Sequence, residues 1–229
     1  MKFAVFSDLH YDAVPDGDRR IKEFVQAVRK ENVDFVIDIG NLCNPSDENR
    51  HIIDELQKTG VPCHFVVGNH NSDEFSIDTV LKFFNLKQSW YSFIKGNIKF
   101  IVLDANYIKS SKGYKPYNKR NYNKTDDEYP YIPPEELDWL KNEISDDRYY
   151  YVILSHHSLA NDFMKRGISN REEVRKILEE RNKKDRKILF CMNGHYQNVT
   201  PQDIGMGQAW NGVSIDPITK SVLIERCGI

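Results

Sequence analysis

Five short polar clusters, each placed directly after an apolar run, carry the residues of this chain best suited to chemistry. They are Asp8-Leu9-His10, Gly40-Asn41, Gly68-Asn69-His70, Ser155-His156-His157 and Gly194-His195-Tyr196-Gln197. Carboxylate, imidazole and amide oxygen are ligands that hold hard and borderline divalent metal ions. If the clusters lie together in the folded chain, they form a pocket that can seat a cation.

The elements that must position these clusters follow from the spacing of apolar residues. Strands are predicted at 3–7, 34–39, 63–67, 98–104, 150–155 and 187–192, and helices around 21–28, 137–144 and 174–178. A capping box, Ser169-x-x-Glu172, is predicted to begin the last helix. Strands that alternate with helices indicate a largely parallel sheet, whose strand ends converge at one edge.

Two further regions read as hairpins, at 91–103 around Gly96-Asn97 and at 212–225 around Asp216-Pro217. Adding hairpins to a parallel arrangement predicts an α/β fold with two stacked mixed β-sheets flanked by helices. A length of 229 residues suits one such domain, spanning 1–229.

The bulk composition narrows the class of partner and the compartment. A net charge of −2 gives no field that favours nucleic acid or an anionic membrane. The four cysteines have no paired metal-binding spacing and are expected to be free and buried. No apolar run approaches the ~20 residues needed to span a bilayer, and a strand begins close to Met1. We therefore expect a cytoplasmic protein.

One segment, 106–134, has no sustained apolar period and exceeds the usual length of a connection. It interleaves six tyrosines with six basic residues, a composition that can stack on a base and pair with phosphate. Two interpretations stay open at this point. The segment is either a lid over the predicted site or a surface excursion whose tyrosines pack on the domain.

The clusters, in this order and strand context, resemble the motifs of the calcineurin-like metallophosphoesterase family. That family has Asp-x-His, then Gly-Asp, then Gly-Asn-His followed by Asp or Glu, then a His after a strand, and finally Gly-His-x-His. The resemblance covers nearly the whole chain. It implies a four-layer α-β-β-α sandwich with a two-metal centre at the strand ends, and hydrolysis of a phosphate mono- or diester.

The resemblance also implies a role for each matching position of this sequence. Asp8, His10 and Gln197 would surround the first metal, and Asn69, His156 and His195 the second. Asn41 would bridge the two ions. His70 would lie beside the scissile phosphate as acid or transition-state stabiliser. The implied cofactors are one or two divalent ions, for which mixed oxygen and nitrogen ligands favour manganese, iron or zinc, and the implied partner is a small phosphorylated substrate.

This sequence departs from the family pattern at positions 41, 71 and 197, which hold Asn, Asn and Gln. Asn41 offers one neutral oxygen and an amide group that repels cations, so it bridges poorly and leaves the charge of two ions less compensated. Asn71 lacks the charge that would orient His70, a role that Asp73 could take. Asp38 could supply a substitute carboxylate.

Two functions follow from these departures. In the first, the protein is a phosphoesterase with a weakened metal site. In the second, it is an impaired family member that binds a phosphorylated ligand or a protein partner. For the interaction module, the tyrosine-rich segment should face away from His70, and for a lid it should face the pocket.

Overall fold

Two β-sheets stacked face to face, with helices on both outer surfaces, make up the computed structural model. It describes residues 1–122, 128–160 and 167–195, together with the backbone of strands at 210–215 and 222–227. Among these residues, no helix is both long enough and apolar enough to cross a membrane.

The first sheet contains five strands in the order β11-β10-β1-β2-β3. Its strands are β1 Lys2–Phe6, β2 Phe35–Asp38, β3 Cys63–Phe65, β10 Trp210–Ile215 and β11 Val222–Cys227. Strands β1, β2 and β3 run parallel to one another, while β10 pairs antiparallel with both β1 and β11. Consequently β1, β2 and β3 end at the same edge of this sheet.

The second sheet contains four strands in the order β4-β5-β8-β9. Its strands are β4 Tyr91–Lys95, β5 Ile98–Leu103, β8 Tyr150–Ser155 and β9 Ile188–Asn193. Here β5, β8 and β9 are parallel and β4 is antiparallel, so the predicted mixture of parallel and hairpin pairing is confirmed in both sheets.

In the part of the chain that the structure describes, five helices cover the outer faces. They are α1 Gly17–Glu31, α2 Arg50–Gln57, α3 Ile77–Phe84, α4 Pro134–Glu143 and α5 Arg171–Asp185. Apolar residues of α1, α2 and α3 pack on the first sheet, and those of α4 and α5 pack on the second.

Between the sheets lies a third apolar cluster, because alternate residues of each strand point to opposite faces. Phe3 and Phe35 of the first sheet stack at 4.9 Å between ring centroids. The Phe100 ring of the second sheet meets both of them edge to face, at 5.5 and 5.2 Å. The predicted four-layer α-β-β-α sandwich is therefore confirmed.

Three expectations about local structure are corrected. The capping box before α5 is wrong: the residue before the helix is Asn170, and its side chain binds both backbone groups of Ile132 instead of the helix end. Within 106–134, residues Tyr107–Ser110 and Gly113–Pro116 form a two-stranded hairpin, β6 and β7, that the aperiodic sequence did not indicate. Cys43 is buried, but Cys63 is half-buried and Cys191 is exposed.

Candidate active site

Loops from the parallel edges of both sheets bring the predicted clusters together. Asp8 and His10 follow β1, Asn41 follows β2, and the Asn69–Ser72 turn of 3-10 helix follows β3. His156 follows β8 and His195 follows β9, on the second sheet. Because both sheets present parallel strand ends to the same region, residues far apart in the chain make direct contact: the His195 backbone nitrogen donates to Asp8 Oδ2 at 2.9 Å.

The backbone of the site is unusually constrained. Asp8, His10, Asn41 and His195 all have positive φ, between 45° and 67°. Non-glycine residues seldom adopt this conformation, and where they do they often mark functional sites. Close approach also requires Gly68, because a Cβ there would lie 2.2 Å from Asn41 Oδ1.

Asp8 is the central anion of the site and is buried. Its carboxylate accepts hydrogen bonds from Ser7 Oγ at 2.5 Å, Asn41 Nδ2 at 2.9 Å and the His195 backbone nitrogen at 2.9 Å. Burial alone would raise the pKa of the Asp8 carboxyl, but His10, His156 and these donors together hold it well below its usual range. The carboxylate is therefore charged at neutral pH.

The Asn41 carboxamide lies at the centre of the predicted ligands. Its Nδ2 is 2.9 Å from Asp8 Oδ1, 2.9 Å from His156 Nε2 and 3.4 Å from Asn69 Oδ1. Its Oδ1 accepts from the His70 backbone nitrogen at 3.0 Å. That last bond fixes which end of the amide faces the cluster, because a flipped amide would set its NH₂ against the His70 N–H.

His156 completes this network as a neutral ring. Its Nδ1 lies 2.7 Å from the Ile39 carbonyl oxygen, which only accepts, so Nδ1 carries the proton and Nε2 presents a lone pair. Burial lowers the pKa of His156, which favours the same uncharged form. The Asn41 amide therefore donates to the Asp8 carboxylate and to the lone pair of the His156 imidazole. The family resemblance predicts that both of these groups bind metal ions.

His70 faces a pocket beside this network and remains half exposed, with 51% of its side chain accessible. Its Nδ1 lies 2.8 Å from Asp73 Oδ2, and its ring meets that of His10 edge to face at 5.0 Å. The pocket has a volume of about 220 Å³, and its walls include His10, His70, Asp73 and Arg120. A small phosphate group fits such a volume.

The hydrogen bonds described for the Asn71 side chain go to backbone groups and not to the His70 ring. Asn71 is fully buried, and its Oδ1 accepts from the backbone nitrogens of Gly68 at 2.9 Å and Asn41 at 3.2 Å. Its Nδ2 donates to the Cys43 carbonyl oxygen at 3.0 Å. Asn71 thus fastens two site loops together.

The other residues considered from sequence have simpler positions. His157 is buried beside Tyr129, with its Nε2 3.3 Å from the hydroxyl. Asp38 accepts from the Gly40 backbone nitrogen, and burial raises its pKa well above the usual range, so its neutral form makes a poor metal ligand. Gln197 lies outside the described residues.

Sequence reasoning missed Ser7 and did not indicate which residues of the 106–134 segment contact the site. Ser7 donates to Asp8, and its position directly before the aspartate could have indicated this. Tyr117 and Arg120 both donate to Asp73; the sequence marked them only as members of the tyrosine-rich and basic segment 106–134, without indicating this partner.

The donor set does not fit a two-metal centre. At the bridging position, the Asn41 NH₂ points towards the predicted ligands, where an anionic oxygen would be needed. Among the described residues, no group of three or more His, Cys, Asp or Glu side chains is arranged to hold a metal ion.

One cation fits better, beside Asp8 and His10. The distance from Asp8 Oδ1 to His10 Nε2 is 3.4 Å. Two ligands bonded at about 2.1 Å to one ion and separated by a tetrahedral angle are also about 3.4 Å apart. His10 lines the pocket, and Asp8 bonds to Asn41, which also lines it, so further ligands could come from solvent or substrate.

The sequence matches the family model of the calcineurin-like phosphoesterases over residues 1–199. The chain therefore belongs to the calcineurin-like phosphoesterase family, as its motifs predicted. No curated protein sequence matches it significantly.

Solved structures show the same fold. A dimetal phosphatase from Danio rerio aligns with a TM-score of 0.67 and 17% identity, over 98% of this chain and 86% of that one. The protein TT1561 of Thermus thermophilus aligns with a TM-score of 0.58 and 13% identity, over 98% of this chain and 97% of that one. At these identities the similarity concerns the fold.

Proposed function

We propose that this protein hydrolyses a small phosphate ester with the help of a single divalent cation held beside Asp8 and His10. Membership of the calcineurin-like phosphoesterase family supports the reaction class. The observation that carries the proposal is the pairing of a charged, buried carboxylate with an imidazole nitrogen 3.4 Å away, next to the pocket that His70 faces.

The charges of the site support one cation and argue against two. Asp8 is the only carboxylate among the predicted ligands, and the positions assigned to the second ion hold neutral side chains. Two divalent ions would repel each other with little compensation. A divalent cation beside Asp8 and His10 would supply Lewis acidity, offsetting phosphate charge and making water a stronger nucleophile at neutral pH.

The protein's own side chains have distinct tasks in this proposal. His70 would exchange a proton with an ester oxygen through Nε2, because Asp73 occupies Nδ1. Arg120, which also lines the pocket, would pair with the phosphate. Asn41 would hold Asp8 and His156 in place through hydrogen bonds.

The test combines elemental analysis with a phosphatase assay. We expect about one equivalent of manganese, iron or zinc per chain after reconstitution and dialysis, and hydrolysis of p-nitrophenyl phosphate or its diester that EDTA abolishes. Asp8→Asn should remove both the metal and the activity. His70→Gln should keep the metal and lower kcat by about 100-fold or more, the usual contribution of a general acid or base.

Two variants of other histidines provide matched controls. His51 lies away from the motif residues and contacts Tyr11 and the Glu48 carbonyl, so His51→Ala should change neither metal content nor turnover. His156→Ala should keep one equivalent of metal, because the proposed ion does not depend on this ring. Two equivalents of metal in the unaltered protein would contradict the proposal.

A second candidate is a ligand-binding protein that carries out no hydrolysis. It is favoured by the Asn41 hydrogen bonds, which satisfy Asp8 and His156 without any ion. This candidate predicts no bound metal, no turnover of either ester, and measurable binding of inorganic phosphate by calorimetry. A protein-interaction role for 106–134 is less favoured, because Tyr117 and Arg120 face Asp73 beside the pocket.

A further inference from the structure

The His70 ring must be oriented by a residue other than the one at position 71. In the family motif an acidic residue follows this histidine, but here the residue is Asn71, and its hydrogen bonds go to Gly68, Asn41 and Cys43. An unoriented imidazole samples several rotamers and both tautomers, which weakens proton transfer.

Asp73 reaches the ring instead. The turn of 3-10 helix at Asn69–Ser72 brings residues three apart onto one side, and Asp73 Oδ2 lies 2.8 Å from His70 Nδ1. Burial would raise the pKa of the Asp73 carboxyl, but bonds from His70 and Tyr117 hold it well below its usual range. A charged carboxylate only accepts hydrogen bonds, so it requires a proton on Nδ1.

Two residues of the 106–134 segment hold the Asp73 carboxylate in turn. The buried Tyr117 hydroxyl donates to Oδ1, and Arg120 Nη2 donates to Oδ2 at 3.2 Å. Both Asp73 oxygens therefore accept hydrogen bonds. Oδ1 accepts from Tyr117, and Oδ2 accepts from Arg120 and His70. Rotation of the carboxylate away from His70 would break the bond from Tyr117.

The main chain fixes this stretch of the segment against the His70 loop. The Lys119 backbone nitrogen donates to the Ser72 carbonyl oxygen at 2.8 Å, and the Ile77 backbone nitrogen donates to Asn118 Oδ1 at 2.6 Å. Together with the two bonds to Asp73, these links join residues 117–120 to residues 72–77. These hydrogen bonds fix which residues of the two stretches lie opposite each other.

We infer that Asp73 is the positioning residue of His70 and that Tyr117 and Arg120 fix its carboxylate, replacing the acidic residue expected at position 71. The inference extends the role of His70 in the proposed function. In this inference the 106–134 segment supports the site through the buried hydroxyl of Tyr117 and the exposed guanidinium of Arg120.

The test reads the tautomer of His70 by long-range proton–nitrogen NMR on the metal-free protein at pH 7. The chain has seven histidines, and loss of one signal set in His70→Gln assigns the ring. We expect the Nδ1–H tautomer to dominate in the unaltered protein. It should be lost in Asp73→Ala and reduced in Tyr117→Phe and Arg120→Gln, and Asp73→Asn, which keeps an acceptor oxygen, should partly restore it.

Tyr122→Phe is the matched control, because the Tyr122 ring packs on Tyr117 at 5.5 Å and loses only its hydroxyl. It should leave the His70 signals unchanged. The inference is overturned if Asp73→Ala keeps the Nδ1–H tautomer, or if Tyr122→Phe changes it as much as Tyr117→Phe does. Should Asp73→Ala not fold, Arg120→Gln alters an exposed side chain and decides the question by the same signal.

Activity provides a second measurement where turnover is found. Loss of a supporting hydrogen bond typically costs about 10- to 100-fold in activity, and we expect Tyr117→Phe to lower kcat by that factor with KM little changed. The tautomer readout does not depend on turnover or metal. A protein without phosphatase activity would contradict the proposed function and leave this inference testable.

Discussion

Replacing Asn41 with aspartate should destabilise the metal-free protein and make its stability depend on added divalent cations. The substitution removes the NH₂ group that donates to Asp8 and His156, and it sets a second carboxylate about where the amide nitrogen was. It also supplies the bridging anion that the family motif contains. The same change should therefore weaken the protein without metal and strengthen its hold on metal.

The size of the effect follows from the two distances of 2.9 Å. The two hydrogen bonds together contribute about 2–4 kcal/mol, since the one to Asp8 involves a charge. Two carboxylates about 3 Å apart repel by up to about 6 kcal/mol at an effective dielectric constant of about 20, although protonation of one of them limits this cost. A loss of about 4 kcal/mol is large against the usual 5–15 kcal/mol of a folded domain.

Urea unfolding at pH 7, in EDTA and in excess manganese or zinc, measures both halves of the prediction. In EDTA the midpoint should fall in Asn41→Asp. Metal at 100 times its Kd returns about 2.7 kcal/mol per site, so the variant should gain more from metal than the unaltered protein does. Asn71→Asp is the control: it also replaces a buried amide, which donates to the Cys43 carbonyl, and should weaken the protein without metal rescue.

The reasoning fails if Asn41→Asp is as stable as the unaltered protein in EDTA. It also fails if metal raises the midpoints of both proteins equally. The first result would mean that the Asn41 amide does not hold the ligand cluster together, and the second that an aspartate at position 41 adds nothing to metal binding.

Two further predictions concern the scaffold around the site. Gly68→Ala should destabilise the protein by about 1–3 kcal/mol, because its Cβ would lie 2.2 Å from Asn41 Oδ1. A Cβ at Gly60 meets no atom within 4 Å, so Gly60→Ala carries only the strain of its positive φ of 76° and should cost less; thermal unfolding of both variants compares them. His64 stacks on Phe93 at 3.5 Å, and burial lowers its pKa to about 4 from 6.5, so the stability that its neutral form provides is present above pH 6.5 and lost towards pH 4. This loss of stability reaches at most about 3 kcal/mol. In urea unfolding between about pH 4.5 and 7, His64→Phe should abolish this part of the pH dependence. The prediction is contradicted if the stability of both proteins changes equally with pH.

Strands β1, β2, β5 and β8 were predictable because they are buried along nearly their whole length and read as short apolar runs. Tyr150–Ser155 was predicted with the bounds that the structure has, and the other predicted strands differ from the described ones by at most two residues at either end, whereas β6 and β7 were not predicted. Helices α2 and α3 gave no usable signal, since eight residues form only about two turns and carry too few periodic positions. The predicted capping box is wrong because the helix begins after Asn170, whose side chain binds the backbone of Ile132. That residue is 38 positions away, so local sequence does not reveal the contact.

The sequence by itself determined which residues meet. Polar clusters after parallel strands must converge, and Asp8, Asn41, Asn69, His156 and His195 do so. It also identified the weak point, an amide where a bridging carboxylate was expected.

Only the tertiary structure decided how these groups satisfy one another. A hydrogen bond depends on distance and direction between atoms that lie far apart in the chain, so no spacing rule could show that Asn41 turns its NH₂ to Asp8 and His156. The same holds for Tyr117, which is 44 residues from Asp73 and reaches it only because residues 117–120 pack against the His70 loop.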